Sequence, residues 1–215
     1  MFASGAAALF GLLALVVLLH SRGQVPGLAG APAPAVRSAP PMPPDAYTSE
    51  GFEFLWKKRQ FASAIASFEA CLRDYPDHSD AYHGLALAQR EAGDPSKAMA
   101  NHDRAIELDP DRFDLYWERG VTRQRLNDHE GAIADFEACA ERNNRFSNPH
   151  IGLGQSYRAL GKPEDALRHN NQAIALDPRS DWCYRERGFT YQALGDRDRA
   201  EADFAKAKEL ETKAR

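Results

Sequence analysis

The sequence predicts an all-α chain: a solenoid of five helical hairpins, preceded by an apolar N-terminal helix and a proline-rich linker. Three observations carry this. Alanine returns at a spacing of 34 residues, at Ala64, Ala98, Ala132, Ala166 and Ala200. A second small side chain keeps the same beat seven residues later, as Cys71, Ala105, Cys139, Ala173 and Ala207. Twelve residues before the alanine, the second to fifth units carry Ala86, Gly120, Gly154 and Gly188. A fixed period of this length marks stacked two-helix units, which build a curved surface and rarely carry chemistry.

From the N-terminus, residues 1–19 hold no charged side chain, and residues 6–19 are almost wholly apolar. At about 1.5 Å per residue, a helix of that length reaches roughly 28 Å, close to the thickness of a hydrocarbon core. A signal peptide carries a basic residue before its apolar run and a small-x-small cleavage site beside it. Here no Lys or Arg precedes the run, and the nearest such site, Ala29-Gly30-Ala31, lies well downstream. An uncleaved membrane anchor over residues 1–20 is the better reading; an exported, periplasmic or secreted protein with its leader removed is the alternative. Arg22 and Arg37 follow the span, which favours a cytoplasmic repeat domain. Residues 21–44 hold seven of the 13 prolines and no acidic residue, the composition of an extended spacer.

The repeat domain is expected over residues 45–215, with units at about 45–78, 79–112, 113–146, 147–180 and 181–215. Small residues on both helices let the pair approach closely, and overpacking such a contact costs about 1–3 kcal/mol. Leu85, Leu126, Leu153, Leu160 and Leu194 fall on the face to be buried. Gly93, Gly161 and Gly195 stand where the turn between helices needs positive φ. Asp94-Pro95 reads as a cap followed by the first helical position. Second helices are expected to stop at Pro76, Pro110, Asn144, Pro178 and Thr212. In the first unit, one extra residue in the turn brings Tyr47, Gly51 and Phe54 into the aromatic, glycine and tyrosine slots. The fifth unit replaces the apolar stacking sites of units one to four with Glu201 and Lys208. Nothing is expected to stack on that face, because an unpaired buried charge is costly.

The slots resemble the tetratricopeptide repeat, most clearly in the fourth unit with Leu153, Gly154, Tyr157, Gly161, Ala166, Ala173 and Pro178. The resemblance covers residues 45 to about 212. It implies a right-handed superhelix whose first helices line a concave face that holds a protein or peptide. Carried over by position, the groove residues are Trp56, Leu87, Arg90, Trp117, Val121, Arg125, Ile151, Arg158, Trp182, Arg185 and Phe189. An apolar floor flanked by arginines suits a partner that is hydrophobic with some acidic residues. Some relatives clamp a chaperone C-terminus through Lys and Asn at positions 5 and 9 of one first helix. Here those pairs are His83/Leu87, Trp117/Val121, Ile151/Gln155 and Arg185/Phe189, so that role is disfavoured. Self-association through Trp117, Trp182 or the first helix is the alternative to a foreign partner.

Other classes find little support. Net charge is −4, from 27 basic and 31 acidic residues, so nothing draws the chain as a whole to nucleic acid. Seven histidines and three cysteines show no metal-ligand spacing. Cys71 and Cys139 read as core. There is no phosphate-cradling loop and no nucleophile elbow. The expectation is a non-catalytic scaffold without cofactor.

Overall fold

The computed structural model describes residues 41–214. The proposed anchor and nearly all of the linker lie outside them. The described chain is helical throughout: α1 Pro44–Phe52, α2 Phe61–Asp74, α3 Ser79–Glu91, α4 Pro95–Leu108, α5 Phe113–Arg125, α6 His129–Arg142, α7 Asn148–Ala159, α8 Pro163–Leu176, α9 Asp181–Ala193 and α10 Arg197–Ala214. Each helix packs on its neighbour in sequence, and the first helices of adjacent units also touch: α1 on α3, α3 on α5, α5 on α7, α7 on α9. This is the expected hairpin solenoid.

The turn between the two helices of a unit is the most regular part of the array. Positive φ occurs at Arg59, Gly93, Asn127, Gly161 and Gly195, which keep the 34-residue spacing. The next residue caps the second helix where its side chain allows. Asp94 accepts from Lys97 N, and Asp128 from Gly131 N, each supplying one of the orphan N–H groups with an acceptor. Asp109 and Asp177 follow the last turns of α4 and α8, where the next residue is the expected proline.

The extra residue of the first unit sits in the helix and not in the turn. α1 continues as a π-helical turn, Glu53–Lys57. There Lys58 N bonds Glu53 O at 3.2 Å and Gln60 N bonds Phe54 O at 2.9 Å, so one residue is absorbed by widening the coil. The register before it is then restored. A Cβ on Gly51 would lie 2.7 Å from the Phe68 ring, and one on Gly120 or Gly188 would lie 2.6 Å from Phe136 or Phe204. Gly51 therefore fills the glycine slot. The stop expected at Thr212 is absent: α10 runs on to Ala214. No proline interrupts it, and the Thr212 hydroxyl donates to the Glu209 carbonyl one turn back. Glu201 and Lys208 are exposed on this helix.

Burial follows the small-residue slots. Ala64, Ala98, Ala132 and Ala166 have no exposed surface, nor do Cys71, Cys139 and Cys183. Burial pushes the Cys139 thiol up to about 12 and raises Cys71 and Cys183 as well. These thiols are packing groups at neutral pH.

Candidate protein-binding groove

The inner face is located by one ring contact. Trp117 on α5 and Trp182 on α9 meet edge to face, with centroids 6.4 Å apart. They belong to units three and five, so unit four is bridged. Side chains two units apart converge on the inside of a curved stack and diverge on its outside. Trp117 also packs on Phe136 at 5.2 Å and Phe146 at 5.9 Å. Its neighbour Tyr116 points elsewhere: its hydroxyl donates to Pro110 O, and Arg142 lies 4.0 Å from its ring. The two adjacent aromatics thus serve different interfaces.

Of the eleven expected groove residues, eight retain surface, Arg158 among them although it is also bonded across a seam. Trp56 is 52 % exposed and Phe189 40 %. Arg125 and Arg185 are exposed, while Trp117, Val121 and Trp182 are half-buried. The other three, with Arg158, serve the seams between repeats. Leu87, at 3 % exposure, belongs to the cluster of Leu55, Phe68 and Leu85. Ile151 has no exposed surface and packs with Ala173 and Cys183. Arg90 is 5 % exposed and donates to Glu118 Oε2 at 2.6 Å. Arg158 donates to Glu186 Oε2 at 2.9 Å. Leu87 packs toward unit one and Ile151 toward unit five, while Arg90 bonds across to unit three and Arg158 across to unit five.

The remaining arginines are also matched. Arg125 donates to Glu91 at 2.8 Å, and Arg185 to Asp181 at 3.0 Å. All four expected arginines therefore face carboxylates of this chain, which removes the electrostatic reason for an acidic partner. What the groove offers is aromatic surface: Trp117, Trp182 and Phe189, with Phe189 packed on Phe204 at 5.2 Å and Arg158 5.6 Å over its ring. Phe146, in the loop after α6, belongs to this surface. Its place outside both helices of the unit hid it from positional reasoning.

Beneath the groove the seams alternate. The Phe68 ring is clasped between Gly51 and Gly84, and Phe136 between Gly120 and Gly152. These ring contacts, between units one and two and between three and four, are apolar, and between three and four Gln124 Nε2 also donates to Gly152 O at 3.1 Å and to Ser156 Oγ at 2.9 Å. The seam between units two and three is polar. Arg90 Nη1 bonds the Glu118 carboxylate and carbonyl, and the Thr122 hydroxyl donates to Glu118 O at 2.9 Å. That hydroxyl lies 2.9 Å from His102 Nε2, so the imidazole carries its proton there and stays neutral. Burial, with the Arg90 cation nearby, holds His102 well below the ordinary imidazole value. The seam between units four and five repeats the set with Arg158, Asn170, Glu186 and Thr190. Among the described residues, no group of three or more His, Cys, Asp or Glu side chains is placed to hold a metal ion.

Models of the tetratricopeptide repeat match residues 55–113 and 85–147, a TPR repeat model matches 154–195, and a further tetratricopeptide repeat model matches 184–213. The chain is 32 % identical over 87 residues to a UDP-N-acetylglucosamine–peptide N-acetylglucosaminyltransferase of Giardia intestinalis, covering 40 % of this chain and 6 % of that protein. It is 33 % identical over 79 residues to a mouse FK506-binding protein-like protein, covering 36 % and 23 %. To mouse tetratricopeptide repeat protein 36 it is 30 % identical over 104 residues, covering 46 % and 56 %. The chain thus spans less than two thirds of each of these relatives. Among solved structures, MamA superposes with a TM-score of 0.67 at 23 % identity, covering 79 % of this chain and 92 % of that one. MamA from Desulfovibrio magneticus superposes with a TM-score of 0.70 at 19 % identity, covering 79 % and 96 %. These last two likenesses describe the fold. The repeat matches extend from residue 55 to residue 213, and the chain belongs to the tetratricopeptide repeat family.

Proposed function

We propose that this chain is a non-catalytic scaffold that holds a protein segment against the inner face of its repeats. The observation that carries the reading is the aromatic floor of Trp117, Trp182 and Phe189, built from first helices of units three and five. Exposed aromatic surface of this kind supplies binding anchors. With its arginines paired, the groove suits a segment that presents apolar side chains. Light scattering across a concentration series separates a foreign partner from self-association, because only the second predicts a concentration-dependent mass.

The reading includes a membrane tether through the apolar run of residues 6–19, with the proline-rich stretch as spacer. Among the described residues no helix is long and apolar enough to cross a membrane, and that run lies outside them. Carbonate-resistant sedimentation with membranes, together with N-terminal sequencing of the mature protein, tests the tether. A mature N-terminus beyond residue 31 replaces it with export. For the groove, Phe189→Ala is compared with wild type for co-purification of crosslinked partners. Loss of partners at an unchanged melting temperature supports the groove; an unchanged partner profile removes Phe189 from it.

A further inference from the structure

Three irregularities fall on the same few residues, at the tip of the first hairpin. The first is the π-helical turn Glu53–Lys57, which lifts the end of α1 out of register by one residue. π-turns of this kind recur at functional sites. The second is Arg59, at φ 50. The four equivalent turns place Gly93, Asn127, Gly161 and Gly195 there; the left-handed region crowds a Cβ against the following carbonyl, glycine escapes that cost and asparagine offsets it by local hydrogen bonding, whereas arginine does neither. The third is Trp56, 52 % exposed, the most exposed of the large apolar side chains among the described residues.

Charge converges on the same point. Lys57, Lys58 and Arg59 are all exposed, and nowhere else in the sequence do two Lys or Arg residues stand side by side. The turn has also shed an acid. The capping position holds Asp94, Asp128 and Asp196 in three other units but Gln60 here, whose side chain makes no cap. Only Lys58 is paired, with Glu53 at 3.1 Å. The cations are propped on rings: Lys58 Nζ sits 4.5 Å from the Phe54 centroid, and the Arg59 guanidinium 5.3 Å from that of Phe61. Two basic residues and no acidic one precede residue 41, so the remainder of the chain carries 25 basic against 31 acidic residues. This tip is a cationic point on an otherwise acidic body.

We propose that the first hairpin tip docks on an anionic lipid surface, with Trp56 at headgroup level and Lys57, Lys58 and Arg59 against the lipid phosphates. A tip is convex, and so fits a broad flat surface better than the cleft-bound segment that the groove takes. Tryptophan flanked by Lys and Arg is the side-chain set of the membrane–water boundary. On a body with more acidic than basic residues, this adjacent triplet is the longest run of basic residues in the sequence. The inference rests on the tethered reading for the supply of a surface.

The test uses the full chain mixed with vesicles of phosphatidylcholine alone or of phosphatidylcholine with phosphatidylglycerol. Amide exchange over residues 53–61 is read by mass spectrometry, beside sedimentation. The expected result is exchange at least about tenfold slower on anionic vesicles, relieved by 1 M salt and absent on neutral ones. A K57Q/K58Q/R59G variant loses the protection. It keeps its fold, because the three side chains are exposed and Gly is the residue that three other turns use. Bound protein whose tip exchanges equally on both vesicles overturns the proposal and leaves the tether standing. Protein that ignores neutral vesicles but is protected at the tip on anionic ones removes the tether and keeps the tip. Protection by an acidic peptide and not by vesicles assigns the tip to a protein partner and overturns the lipid proposal.

Discussion

His102 and Asn170 stand 68 residues apart in the sequence and make the same hydrogen bond. His102 Nε2 lies 2.9 Å from the Thr122 hydroxyl, and Asn170 Nδ2 lies 2.6 Å from the Thr190 hydroxyl. Each threonine donates in turn to a glutamate carbonyl four residues back, and each glutamate carboxylate takes an arginine of the preceding unit. Each donor also leaves its second polar atom, His102 Nδ1 or Asn170 Oδ1, without a protein partner. The working period of the array is therefore two units. Units two and four present a polar second helix to their successors, while units one and three present a phenylalanine.

The match predicts that His102→Asn keeps the fold and flattens its pH dependence. Burial lowers His102 well below the ordinary imidazole value, and burial also lowers His83, His150 and His169. The unfolded chain takes up protons on these rings near pH 6.5, whereas the folded chain resists until lower pH. Stability is thus full above that value and falls as pH drops below it, by up to about 1.4 kcal/mol per pH unit for each ring. Urea titrations at pH 7.5 and 5.5 measure the slope. H102N is expected to hold the midpoint at the higher pH and lose less of it at the lower. An undiminished loss places the titration elsewhere.

The apolar seams predict a different weakness. A Cβ on Gly84 would press well inside van der Waals contact with the Phe68 ring, which is already clasped by Gly51 from the other side. The ring has no exposed surface and nowhere to retreat. Gly84→Ala is expected to cost about 1–3 kcal/mol by overpacking. Gly93→Ala probes the contrasting case. At φ 93 with nothing within 4 Å of its Cβ, it is expected to cost about 1–2 kcal/mol of backbone strain alone. A second substitution separates them: Phe68→Leu rescues G84A and leaves G93A unchanged.

Arg158 reads from the sequence as a groove residue facing a partner. Its guanidinium instead bonds the Glu186 carboxylate and carbonyl and the Thr190 hydroxyl. Glu186 is 6 % exposed, so truncating the arginine strands a nearly buried carboxylate. Arg158→Ala is expected to destabilise by about 1–3 kcal/mol. Adding Glu186→Ala should restore part of that, and the double-mutant cycle reads the coupling. Additive losses would mean that the pair contributes no more than its separate contacts.

The legible part of this fold is what small residues dictate. The alanine period sets the close approach of the helices, and the positive-φ turns at Gly93, Gly161 and Gly195 follow from residue type alone. Pairing between units was not legible. Arg90 and Arg158 sit at surface-like positions of a first helix, and only the next unit's Glu118 and Glu186 reveal them as seam residues. Leu87 and Ile151 occupy groove positions by count, yet Leu87 packs toward unit one and Ile151 toward unit five. The π-turn was half visible, since a count shows that one residue is extra but cannot say whether a loop or a helix absorbs it.

Arg59 gives a prediction about stability that is independent of what the tip binds. Its φ of 50 costs about 1–2 kcal/mol relative to a residue without a Cβ, whereas stacking over Phe61 at 5.3 Å returns about 0.5–1 kcal/mol at an exposed site. The strain is the larger quantity, so Arg59→Gly is expected to raise stability by roughly 0.5–1 kcal/mol. Arg59→Ala separates the two contributions: it keeps the strain, loses the stacking, and is expected to fall below wild type. Thermal unfolding of the three proteins in one buffer decides the order. If the glycine variant melts below wild type, the ring contact outweighs the backbone cost, and Arg59 holds the turn by its own packing.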